Sequence, residues 1–204
     1  MSCSIDEASV NTSAALARTV RARVDLKPRV VGRRAVRLLG ELVGARRDLP
    51  AGRRPAFLRE VVPGILEWPW FSDRFGYDFH GFLVRHPGGN IAVDPVEMSA
   101  AVLEGLRAEG VATILLTNRN HFRDAKRLHE ATGASVRVHP ADADFVRGKG
   151  VLVGGELHEG NQVGPLRVVG CPGKSPGEVV LHWPESKLAI FGDAAVGVSP
   201  GMLG

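Results

Sequence analysis

Cysteine is scarce: the 204-residue chain carries two, Cys3 and Cys171. That is too few, and too widely spaced, for a disulfide framework or a cysteine-rich zinc site, so a reducing, cytoplasmic setting is expected. Long apolar runs are missing as well. None approaches the roughly 18 residues that a membrane span needs, and the opening MSCSIDE is polar and acidic, unlike a signal peptide. The chain therefore reads as soluble, with no membrane partner. Nucleotide motifs are absent too: there is no G-x-x-x-x-G-K-[ST], no G-x-G-x-x-G after a strand and no G-x-S-x-G elbow. The tempting "GKSPGE" lacks the upstream glycine spacing of a phosphate loop. Neither an internal repeat nor a low-complexity tract is present.

Charge is unevenly distributed. The net charge is +4, yet residues 1–60 hold 13 Lys and Arg against 6 Asp and Glu, which leaves the remainder net acidic. An Arg-rich segment of this kind suits a nucleic acid, an anionic surface or an organelle transit peptide. No aromatic residue precedes Phe57 to stack on a base, so nucleic acid is not the expected partner. In residues 28–47, Val31, Ala35, Leu38, Leu39 and Leu42 recur at helical spacing beside Arg34, Arg37 and Arg46. This pattern predicts a basic amphipathic helix packed on a main domain. "DLPAGRRP" reads as a linker. The expected division is a basic extension and linker over residues 1–55 and a main domain over 56–204.

From Val61 onward the periodicity changes. "FHGFLVRHPGGNIAVDP" places two apolar runs around Pro87-Gly-Gly-Asn90, which predicts a hairpin. Met98, Val102, Leu103 and Leu106 share a helical face that Gly110 terminates. "VATILLT" reads as a strand buried on both faces, and a second helix is expected from about Arg123 to Thr132, stopped by Gly133. "SVRVH" is the next strand, and short strands between Gly-, Asn- and Pro-rich turns fill the rest. Two sheets with outer helices accommodate this order.

Three segments carry a resemblance. "CPGKSPGE" (residues 171–178) is similar to the Pro-Gly-His-Ser/Thr-Pro-Gly loop of the metallo-β-lactamase superfamily, and "FGDAAVG" (191–197) to its Gly-Asp strand end. "ILLTNRNHFRDA" lies where that superfamily carries T-H-x-H-x-D-H. "VVPGI" and "GNIAVDP" resemble its opening strands, so the likeness spans about residues 61–198. It implies an α/β (α+β) fold, the αββα sandwich, with the active-site loops at one sheet edge. It also implies an interruption near Gly204, since the superfamily normally continues with another helix and strand.

In that superfamily paired histidines and an Asp bind one or two metals, usually zinc, which turn a bound water into a hydroxide nucleophile. Transferred residue by residue, the first two His positions fall on Asn118 and Asn120, the motif Asp on Phe122, the next His on Arg123 and the loop His on Lys174. Only Asp193 keeps the ligand identity. Asn is a weak neutral ligand, Phe is none, and Arg and Lys bring positive charge to a cation's place. His121 and Asp193 are the remaining weak metal candidates, and His121 beside a strand end also fits a hydrogen-bonded or solvated role. Asp94 reads as a loop or helix-cap residue, and Asp124 as a first-turn carboxylate complementing a helix dipole. The cluster "WPWFSDRFGYDF" (68–79) could wall a pocket through Trp68, Trp70, Phe71 and His80.

The expectation is a domain of this fold that has lost most of its metal ligands, with no cofactor and no catalytic residue assigned. Arg123 and Lys174 would take over the metal's electrostatic role beside Asp193. With the amides of Asn118 and Asn120 they would bind a small anionic molecule. The alternative is a metal-dependent hydrolase of the ester, thioester or lactam class with an atypical site, zinc being its cofactor. Self-association is left open.

Overall fold

The computed structural model describes residues 58–195, together with the backbone of 197–199 and 202–203. The basic helix, the linker and the division at residue 55 expected above lie outside the described residues. Strands β1 (Arg59–Val62), β2 (Ile65–Ser72), β3 (Tyr77–Val84) and β4 (Asn90–Val93) form an antiparallel meander. Strands β5 (Val111–Leu115), β6 (Ser135–Val138) and β7 (Val153–Glu156) then join in parallel, and all seven lie in consecutive order.

Each parallel addition requires a crossover. Three helices supply them: α1 (Ala100–Glu109), α2 (Ala125–Thr132) and α3 (Pro140–Gly148). Because crossovers share one hand and the strands advance in one direction, all three helices lie on the same face. α1 begins at Ser99, whose side chain accepts from the Val102 N–H, and ends at Gly110 in the left-handed region, as its pattern predicts. α2 starts later than expected. A 3-10 turn at Arg119–Phe122 precedes it, and the Asp124 carboxylate makes no cap bond. It accepts from Met98 N (2.8 Å) and Arg127 (3.3 Å), pinning the loop before α1 while its charge stays at the N-terminal end of α2. Helix α3 is an addition to the expected order, although Pro140 in its first turn is a helix-start signal.

The second sheet is antiparallel and runs in the order β11 (Leu188–Ile190), β10 (Val179–Trp183), β9 (Leu166–Gly170), β8 (Gln162–Val163). A short pair, β12 (Gly197–Ser199) with β13 (Met202–Leu203), follows. Strand alternation splits the core. Leu66, Leu83, Ala92, Ile114 and Val136 face the helices, whereas Ile65, Val84, Ile91, Val93 and Leu115 meet Leu166, Val168, Val179 and Leu181 of the second sheet. The result is a mixed α/β sandwich with helix, sheet and sheet layers among the described residues.

One cross-strand pair fixes the helix-facing side. Trp68 is fully buried opposite Gly81, where an added Cβ would overlap the indole ring. The indole Nε1 donates to Val96 O at 3.3 Å. Trp68, expected on a pocket wall, is therefore a core residue.

Candidate functional site

The loops leaving β4, β5, β9 and β11 converge, as loops at the carboxyl ends of parallel strands commonly do around ligands. Asp94 follows β4 with a φ of 48°, a left-handed conformation that Asp adopts more readily than most residues. Its Oδ1 accepts from Thr117 N (2.8 Å) and its Oδ2 from the Thr117 hydroxyl (2.6 Å). Asp94 is thus a buried bracket between two strand ends, not a helix cap. Gly192 closes the same point: its φ is 57°, and an added Cβ would overlap Thr117 Oγ1.

His121 occupies the centre and is 5% exposed. Its Nδ1 lies 2.9 Å from Asp94 Oδ2 and its Nε2 3.3 Å from Asp193 Oδ1. Burial pulls its pKa down, but the Asp94 charge and hydrogen bonds to Asp193 and Asp94 outweigh it and raise the value to about 9. The ring is therefore an imidazolium at neutral pH, both N–H groups donating to carboxylates. The Asn118 amide nitrogen, 3.4 Å from Nε2, finds no acceptor there and points its hydrogen to Glu178 Oε1 at 3.4 Å. The hydrogen bond from His121 holds Asp193 down to about 2 against the opposing effect of burial, aided by the charges of His121, Lys174 and Arg123.

The loop between β9 and β10 is tied down by two further carboxylates that the sequence motifs do not single out. Glu178, buried, accepts from Lys174 N at 2.7 Å, and burial pushes its pKa up. Asp142, fully buried on α3, accepts from Ser175 Oγ (2.5 Å), Arg119 N (3.0 Å) and Gly177 N (3.3 Å). It joins α3, the 3-10 turn and the loop into one unit.

The expected site residues divide accordingly. Asn118, His121, Lys174 and Asp193 come together, with Lys174 Nζ 3.7 Å from Asp193 Oδ2. The closer partner of Asp193 is His121, to which the residue-by-residue transfer assigns no ligand position. Asn120 is exposed and donates its backbone N–H to Asn118 Oδ1, and Phe122 packs against the helix-side core. Arg123 is half-buried with its guanidinium over the Phe79 ring. Trp70, Phe75, Phe79, Glu97, Arg123, Asp124 and Arg127 line a cleft of about 440 Å³. Phe71 and His80 have the alternation of the opposite sheet face; His80 lies 3.3 Å from Glu67 there. Among the described residues, no group of three or more His, Cys, Asp or Glu is arranged to hold a metal ion, and no helix is long and apolar enough to cross a membrane.

Comparison with known proteins agrees with the fold. Residues 59–203 match the family profile described as metallo-beta-lactamase superfamily. A hydroxyacylglutathione hydrolase of Cereibacter sphaeroides is 33% identical over 139 residues, covering 62% of this chain and 51% of the relative. Another protein of that name, from Fuscovulum blasticum, is 33% identical over 147 residues, covering 68% and 54%. The chain thus spans about half the length of the curated relatives it matches. Among solved structures, a metallo-beta-lactamase family protein of Thermus thermophilus aligns with a TM-score of 0.55 at 19% identity, covering 69% of this chain and 63% of that one, a likeness of fold. With the profile match covering most of its length, the chain belongs to the metallo-beta-lactamase superfamily.

Proposed function

We propose that this domain binds a small anionic molecule where its strand-end loops converge, and that protein cations hold the electrostatic place of a catalytic metal. The observation that carries this reading is the placement of His121, whose Nδ1 lies 2.9 Å from Asp94 Oδ2 and whose Nε2 lies 3.3 Å from Asp193 Oδ1, with Lys174 and Arg123 nearby. The donor set does not fit zinc. Asn118 is committed to Glu178, both nitrogens of His121 are engaged by carboxylates, and the Lys174 and Arg123 positions bring positive charge.

A second reading, a hydrolase of the thioester class with an atypical metal site, has its own specific observation: the curated relatives at about a third identity are named hydroxyacylglutathione hydrolase. The relatives weigh toward this reading and the side chains toward the first. One experiment separates them. Protein is assayed on a hydroxyacyl thioester of glutathione with added zinc, iron or manganese, and in parallel titrated with carboxylate and phosphate anions by calorimetry. The first reading expects saturable anion binding, unaffected by chelator, without turnover. Metal-dependent turnover abolished by chelator would establish the second.

A further inference from the structure

Arg123 differs from the other cations of the site in what surrounds it. Its guanidinium carbon stands 4.4 Å from the centre of the Phe79 ring, and it makes no hydrogen bond or ion pair within the described residues. Asp94 and Asp193 act on it only at longer range. Its neighbour Arg127 is already engaged, donating to Met98 O (2.5 Å) and lying 3.3 Å from Asp124 Oδ2. Of the two arginines lining the cleft, Arg127 has one guanidinium nitrogen fixed by Met98 and Asp124, whereas Arg123 has its whole fork available.

The wall that Arg123 rests on is aromatic. Phe79 packs against Trp70 with centroids 5.7 Å apart and against Phe75 at 5.7 Å, edge-on. Phe75 itself is 52% exposed at the β2–β3 turn. A guanidinium stacked by one face on a ring keeps its N–H groups in its own plane, free to grip a carboxylate bidentately. A carboxylate conjugated to an aromatic ring shares that plane, so an acid held by Arg123 would carry its ring along the aromatic wall. A volume of about 440 Å³ accepts a single or fused pair of rings. Tetrahedral anions gain nothing from such a wall, and saturated acids gain apolar burial without the added ring-on-ring preference.

We propose that this cleft binds a planar aromatic carboxylate, its carboxylate on Arg123 and its ring against Trp70, Phe75 and Phe79. The proposal deepens the anion-binding reading above and rests on it.

Calorimetric titration with 2-naphthoate, backed by tryptophan fluorescence because Trp70 lies on the wall, tests it on the intact chain. Saturable binding of 2-naphthoate is expected, with cyclohexanecarboxylate, 2-naphthamide and inorganic phosphate each at least about tenfold weaker. Arg123→Lys keeps the charge and loses the fork, and should also weaken 2-naphthoate at least about tenfold. Phe79→Leu should erase the preference for 2-naphthoate over cyclohexanecarboxylate. Melting temperatures of the variants show whether they fold, and the comparison of probes on the unaltered protein decides the case if they do not. Phosphate or cyclohexanecarboxylate binding as tightly as 2-naphthoate would overturn the aromatic assignment and leave the anion reading standing. Failure of every anion to bind would overturn both.

Discussion

His121 Nδ1 lies 2.9 Å from Oδ2 of Asp94, the carboxylate that also receives the Thr117 N–H and hydroxyl. One buried side chain therefore fixes two strand ends and the central cation. Asp94→Asn keeps the shape but turns an amide toward donors, so it should destabilise the fold by about 2 to 4 kcal/mol. Asp193→Asn, at a partly solvated position, should cost less. Urea denaturation of the two variants measures both, and equal losses would argue against Asp94 as the organising group.

The pH profile follows from the same pair. His121 keeps its proton in the folded state up to about 9, whereas an unfolded imidazole titrates near ~6.5. Its contribution is complete below about 6.5 and is lost as pH rises through 9. Asp193, held near 2, contributes above its unfolded value of about 3.9 and loses that contribution as pH falls through 2. The melting temperature should therefore be highest between about pH 4 and 6.5 and decline toward pH 9. His121→Gln should flatten the alkaline decline; a native profile level from pH 6.5 to 9 would contradict the assigned charge.

Lys174 is a weaker partner than its place in the loop suggests. Its side chain is 60% exposed and its Nζ is 3.7 Å from Asp193. Exposed pairs of this kind are worth less than about 1 kcal/mol, so Lys174→Ala should have a small effect on stability. A double-mutant cycle of His121→Gln with Asp193→Asn should show a coupling above about 1 kcal/mol, larger than the cycle of Lys174→Ala with Asp193→Asn. The reverse order would return the role to Lys174.

Gly192→Ala offers a test of the closed corner. The added methyl would run into Thr117 Oγ1, on a backbone with φ of 57°. A loss of about 1 to 3 kcal/mol is expected, together with weaker anion binding, since the same hydroxyl is bonded to Asp94. Gly110→Ala, also at positive φ but with open space around it, should lose stability without affecting binding.

The strand and helix order is legible in the sequence because alternation and helical spacing are local signals. The hairpin at Pro87–Asn90 and the stops at Gly110 and Gly133 fall where their residues require them. Asp94 lies in a loop and Asp124 at a helix start, as their local patterns suggest, but their partners are not legible there: only the fold brings Met98, Thr117 and His121 to them. His121 occupies an unassigned position of the motif, so matching ligand positions one by one draws attention to Asn118, Asn120 and Lys174 instead. Phe122 and Trp68 turn inward because their strand and turn parity points them to the core. Asp142 lies outside every motif and its side-chain partners are 23 to 35 residues away in sequence; Glu178 closes the CPGKSPGE loop, but its link to Asn118 spans 60 residues.

What occupies the centre of the site, a protein cation or a metal, decides between the two readings. Metal content of protein grown with added zinc and iron and purified without chelator, measured by elemental mass spectrometry, tests this most directly. With His121 charged between Asp94 and Asp193, the expected result is far below one metal per chain, unchanged in His121→Gln. One or two equivalents of zinc, iron or manganese, removed by chelator and lost in His121→Gln, would contradict it.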